Sequence, residues 1–131
     1  MFFAKDRILN VRKMFLARSQ KERMDAIEQL FAPQKNDFSE IFEIMEDKPT
    51  RIRLMDFPRH EILPKSPEEK HTLANAIGVS DEQLERIMDS CHELNPMLGL
   101  RGARLGIVCP EVYEMQVRAI LESACDVYEK T

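Results

Sequence analysis

Residues 51–64 read Arg51-Ile52-Arg53-Leu54-Met55-Asp56-Phe57-Pro58-Arg59-His60-Glu61-Ile62-Leu63-Pro64, and the fold turns on how this run behaves. Ile52 and Leu54 alternate with Arg51, Arg53 and Met55, and alternation at period two predicts a half-buried strand rather than a helix. Pro49 and Thr50 suit its entry, and Pro58 suits its exit. An arginine in the middle of such a strand needs a counter-ion, because an unpaired buried guanidinium is strongly disfavoured. Asp56 is one candidate and a phosphate group is another.

The flanks read as helices. Residues 5–18 place Ile8, Val11, Met14, Phe15 and Arg18 at helical spacing, with Asp6 as the expected N-terminal cap. A second helix is predicted from Ser19 to Phe31, with Met24, Ile27, Leu30 and Phe31 on one face, and Pro33 ends or kinks it. A third covers residues 36–46, with Phe38, Ile41, Phe42 and Met45 inward. Beyond the strand, Ser66 caps a helix that begins at Pro67, carries Glu68 and Glu69 in its first turn and stops at Gly78. Ser80 with Gln83 forms a capping box for the next helix, whose inner stripe is Leu84, Ile87, Met88 and Cys91. Asn95-Pro96 breaks the pattern, and Pro110 opens a last helix over residues 111–129. Its inward positions are Val112, Met115, Ala119, Ile120 or Leu121, and Cys125.

Composition narrows the function classes. With 131 residues, 44% of them hydrophobic and 32% charged, the chain suits one folded domain and is short for a complete α/β barrel. The net charge of −4 disfavours general binding to nucleic acid or acidic membranes. No apolar run approaches the roughly 18 residues of a membrane helix, and none has the form of a signal peptide. Cys91, Cys109 and Cys125 are odd in number and form no CxxC, so reduced thiols in a cytoplasmic setting are expected, each cysteine a small buried hydrophobe.

Residues 73–87 have the spacing of a helix-turn-helix. The second helix offers Asp81, Glu82, Glu85 and Asp89 against a single Arg86, which would repel DNA, so a plain helical pair is the reading. His60, His71 and His92 show no HxxxH or HExxH spacing for a metal. The chain has no phosphate-binding loop and no nucleophile with an evident general base. What remains is the run from Asn95 to Ile107, Asn-Pro-Met-Leu-Gly-Leu-Arg-Gly-Ala-Arg-Leu-Gly-Ile. Arg101 and Arg104 share a face if it is helical, and its glycines allow close approach. On its own it reads as a solvated basic turn; together with Arg53 it suggests a clamp for a phosphate or carboxylate.

These stretches resemble the pyruvate, phosphate dikinases, a family of phosphoenolpyruvate (PEP)-utilising enzymes. The resemblance rests on Met1-Phe2-Phe3-Ala4 with Asp6-Arg7-Ile8, Asn36-Asp37-Phe38, and Ile52-Arg53-Leu54-Met55-Asp56. It continues through His60-Glu61-Ile62-Leu63-Pro64, Asn95-Pro96-Met97-Leu98-Gly99 with Arg101-Gly102, and Met115-Gln116-Val117-Arg118-Ala119-Ile120, in order along almost the whole chain. Leu100 and Ala103 stand where the family usually has histidine and cysteine.

The resemblance implies a parent enzyme that interconverts ATP, phosphate and pyruvate with AMP, pyrophosphate and PEP. Residues 1–131 would then be part of its PEP/pyruvate-binding domain, which resembles a (β/α)8 barrel. It implies that Arg53 and Arg101 bind the phosphate of PEP, that Asp56 and Asn95 orient them, and that no catalytic residue lies in this stretch. The parent would use magnesium through ligands elsewhere, and would be a cytoplasmic homodimer that binds neither nucleic acid nor membrane. As an incomplete barrel the chain is expected to be mainly α, with about six helices and one or two short strands, inactive by itself and prone to self-association. The reading from a different class is a non-catalytic helical module for protein interaction, with a helix-turn-helix DNA binder behind it.

Overall fold

The structure is a computed structural model that describes residues 4–56, 59–91 and 99–131. Among these residues there are seven helices and no strand: α1 (Ile8–Leu16), α2 (Gln20–Met45), α3 (Arg59–Ile62), α4 (Pro67–Ile77), α5 (Asp81–Ser90), α6 (Gly102–Val108) and α7 (Pro110–Lys130). The expected strand over 51–56 is therefore corrected. A strand exists only as a member of a ladder, and no neighbouring strand is present among the described residues to pair with this one.

The alternation of that segment is also out of phase with its packing. Met55 is 5% exposed, whereas Leu54, expected to face inward, is 41% exposed. The main chain of Met55 is instead satisfied by side chains of α7. The Met55 amide donates to Gln116 Oε1 at 2.9 Å, and the Tyr113 hydroxyl donates to the Met55 carbonyl at 2.6 Å. Buried main-chain polar groups are nearly always paired, and here two side chains take the place of a ladder.

The two long helices α2 and α7 pack along each other. Ion pairs set their direction: Arg23 with Glu111 at 2.8 Å, Lys35 with Glu122 at 3.2 Å and Asp126 at 2.8 Å, and Glu43 with Lys130 at 3.7 Å. Each successive pair lies further along both helices, so the two run parallel. Residues 51–56 lie between them in sequence, so the order is that of successive βα units without the strand ladder.

Pro33 neither ends α2 nor separates two helices, as the sequence reading had it; α2 is continuous through it. Proline deprives the Gln29 carbonyl of its helical donor, but Leu30, Gln34 and Phe38 on either side are all buried. That packing outweighs one missing hydrogen bond. The cap of α1 also differs, since Arg7 occupies the cap position and its side chain does not cap the helix. Its guanidinium reaches across to both carboxylate oxygens of Asp37 on α2.

The remaining caps follow local chemistry. Ser66 accepts from the Glu69 amide with Pro67 in the first turn, Gly78 closes α4 in the left-handed conformation, and Ser80 with Gln83 forms a full capping box. One core gathers Val11, Ile27, Leu30, Met55, Ile62, Val112 and Met115; a second gathers Leu16, Leu73, Ala74, Leu84 and Cys91 beneath α4 and α5. All three cysteines are free thiols; Cys91 and Cys109 are buried as expected, but Cys125 is exposed. The buried stripe of α7 runs through Val112, Met115, Gln116, Ala119 and Ser123 instead. Among the described residues no helix is long and apolar enough to cross a membrane.

Candidate anion site

The two arginines singled out by sequence meet on one carboxylate. Arg53, three residues before Asp56, donates to Asp56 Oδ2 at 3.1 Å. Arg101, forty-five residues away, donates from Nε to Asp56 Oδ1 at 2.9 Å and from a terminal nitrogen to the Asp56 main-chain carbonyl at 3.2 Å. Arg101 therefore grips side chain and backbone of the same residue and fixes the end of the 51–56 segment against the entry of α6. Its side chain is largely covered, whereas that of Arg53 is 81% exposed. The site thus has one anchored guanidinium and one that opens to solvent.

Local backbone geometry explains the approach. Arg101 is the residue that precedes α6, and Gly102 opens the helix at φ +55°. That conformation favours glycine, and a Cβ at Gly102 would already touch Asp56 Oδ1 at 3.4 Å. Arg104 sits exposed within α6 and donates to the Gly99 carbonyl at 3.1 Å, whereas Arg101 lies in extended backbone before the helix. Asn95, the fourth residue expected here, lies outside the described residues.

Electrostatics follow the contacts. The Arg101 hydrogen bond, with help from Arg53, holds the Asp56 carboxyl below the ordinary carboxylate range, against partial desolvation. Asp56 is therefore ionised at neutral pH, and the cluster of two guanidiniums and one carboxylate is net cationic. Burial, and then the Asp56 charge, pushes the Tyr113 phenol above its usual value, so Tyr113 remains a neutral donor to Met55. Forked guanidinium donors beside a solvent opening suit a phosphate or carboxylate ligand.

Two residues behind this cluster were missed by sequence reading, Tyr113 and Gln116. The available signal was a glutamine on the apolar stripe of α7, since a buried polar side chain has to bond to something. Gly106 is part of the same arrangement: the Tyr113 ring lies against it, where a Cβ would approach to 3.2 Å.

Comparison with known proteins gives the family of the chain. Residues 1–129 match the family model described as PEP-utilising enzyme, PEP-binding domain. The chain is 42% identical over 130 residues to the pyruvate, phosphate dikinase of Rickettsia felis, covering 99% of this chain and 15% of that protein. It is 46% identical over 125 residues to that of Giardia intestinalis, covering 95% and 14%, and 40% identical over 131 residues to that of Clostridium symbiosum, covering 100% and 15%. The chain belongs to the PEP-binding domain family of the PEP-utilising enzymes. It spans about 15% of the length of the curated relatives it matches.

Proposed function

We propose that this chain forms part of the PEP-binding site of a pyruvate, phosphate dikinase, with Arg53 and Arg101 as the ligands of the PEP phosphate. The convergence of both arginines on Asp56 supports this reading most directly. Asp56 orients them: it draws two cations together that would otherwise repel, and leaves the exposed edge of Arg53 toward the incoming anion. In the whole enzyme such a clamp would stabilise charge on a phosphoryl group during transfer. The bond-breaking groups belong to other parts of that enzyme, so this chain binds without turning over.

The parent reaction, ATP with phosphate and pyruvate to AMP, pyrophosphate and PEP, and a cytoplasmic location are parts of the same proposal. Magnesium does not fit the residues seen here. Asp56 already faces two guanidiniums, and among the described residues no group of three or more His, Cys, Asp or Glu side chains gathers.

Calorimetric titration of PEP, with pyruvate as the comparison, tests the reading. Expected is saturable binding of PEP that exceeds that of pyruvate and is lost in both Arg53→Ala and Arg101→Ala. Equal binding of the two ligands, or PEP binding that survives Arg101→Ala, overturns it.

A further inference from the structure

We propose that Tyr113 and Gln116 of α7 are positioning residues for the anion site: by clamping both main-chain polar groups of Met55 they fix where Asp56 presents its carboxylate, and so where Arg53 and Arg101 meet. The proposal rests on the reading of that cluster as a PEP-phosphate site.

Three observations carry it. First, the clamp is two-sided. The Met55 amide donates to Gln116 Oε1 at 2.9 Å and the Met55 carbonyl accepts from the Tyr113 hydroxyl at 2.6 Å, so neither backbone group of that residue can swing independently. Second, the clamp is anchored in the core. Gln116 is 3% exposed and Met55 is 5% exposed, and the Tyr113 ring is held against Gly106, where no side chain intervenes. Third, the next residue after the clamp is Asp56, which holds both arginines. Since no strand among the described residues pairs with the 51–56 segment, these two side chains hold its path at Met55. Misplacement of a binding group by even a fraction of an ångström weakens a multidentate site.

A merely structural role would alter stability and leave the site alone, so the test reads the site. Tyr113→Phe removes one hydroxyl and Gln116→Met removes the carboxamide, the acceptor of the Met55 amide with it, at similar volume; neither changes formal charge. In the unaltered protein the Asp56 carboxyl titrates below the ordinary carboxylate range, because of Arg101 and Arg53. Carbon-detected NMR titration of Asp56 is expected to show an upward shift in each variant, as the carboxylate loses its register with the two guanidiniums. PEP binding is expected to weaken about five- to tenfold, the loss typical of one hydrogen bond.

An Asp56 titration that is unchanged in both variants overturns the positioning role, whatever happens to stability. If one variant fails to fold, the other carries the test alone. The failures are distinguishable: absence of PEP binding in the unaltered protein removes the phosphate-site reading, whereas the Asp56 titration tests the clamp without any ligand.

Discussion

Arg101 bonds twice to Asp56, through the carboxylate at 2.9 Å and through the main-chain carbonyl at 3.2 Å. The pair joins the segment that precedes α3 to the entry of α6, and it makes Asp56 a structural as well as an electrostatic partner. This dual role decides the sign of several substitutions.

Asp56→Ala raises the net charge by one, so simple attraction predicts tighter PEP binding. Orientation predicts the opposite, because Arg53 and Arg101 then repel each other and separate. The expected outcome is PEP binding weakened about fivefold, read by calorimetry, on the scale of one charge-assisted hydrogen bond. Tighter binding would show that Asp56 only competes with the ligand.

Acid sensitivity follows from the carboxylates that are held low. Arg101 lowers Asp56, the Lys65 amide and Arg12 lower Glu69, and Arg118 with Lys35 lowers Glu122. A folded-state pKa below the unfolded value means that the unfolded chain binds more protons as pH falls. The stabilisation is therefore complete above the unfolded carboxylate range and is lost as pH drops through the folded values. Thermal melts should show Tm flat near neutrality and declining below about pH 4–5. A Tm that rises on acidification to pH 4 would contradict the assignment.

Parallel packing of α2 on α7 is fixed at one end by Arg23 and Glu111, both largely covered. Arg23→Ala leaves the Glu111 carboxylate short of its charged donor, an expected loss of about 1–2 kcal/mol in urea unfolding. The Arg23→Ala, Glu111→Ala double variant should lose less than the sum of the two single losses, because the contact is shared. Strict additivity would mean that the pair does not form in solution.

The second core is separable from the site. Leu84→Ala opens a cavity beneath α4 and α5, at a residue with no exposure, and should cost about 2–4 kcal/mol. PEP binding at temperatures where the variant remains folded should be unchanged, since Leu84 is not among the residues packed around Met55. Coupled loss of binding in the folded variant would place α4 and α5 within the site.

What the sequence disclosed depended on how local the cause was. Ser66 with Pro67, Gly78, and Ser80 with Gln83 act within one helical turn, and each of these signals ends or begins a helix where expected. Pro33 was misleading because its local cost is overridden by burial of Leu30, Gln34 and Phe38, which only tertiary packing reveals. The alternation in 51–56 misled for the same reason: a strand needs a neighbour, and the neighbour of Met55 is α7. Arg53 and Arg101 were legible as candidates through residue type and resemblance. Their meeting on Asp56 was only one of two readings of Arg53, since a phosphate served as well. Tyr113 and Gln116 were legible as helix positions and not as partners of a main chain 58 and 61 residues earlier.

The most direct test of the central claim follows the side-chain Nε–H signals of Arg53 and Arg101 by NMR during titration with PEP. Saturable shifts of both signals at a common midpoint, with that midpoint moved about fivefold to higher PEP concentration in Asp56→Ala, are expected if the Asp56-centred pair binds the phosphate. Signals that stay fixed up to millimolar PEP, while Asp56 remains bonded to Arg101, would contradict it.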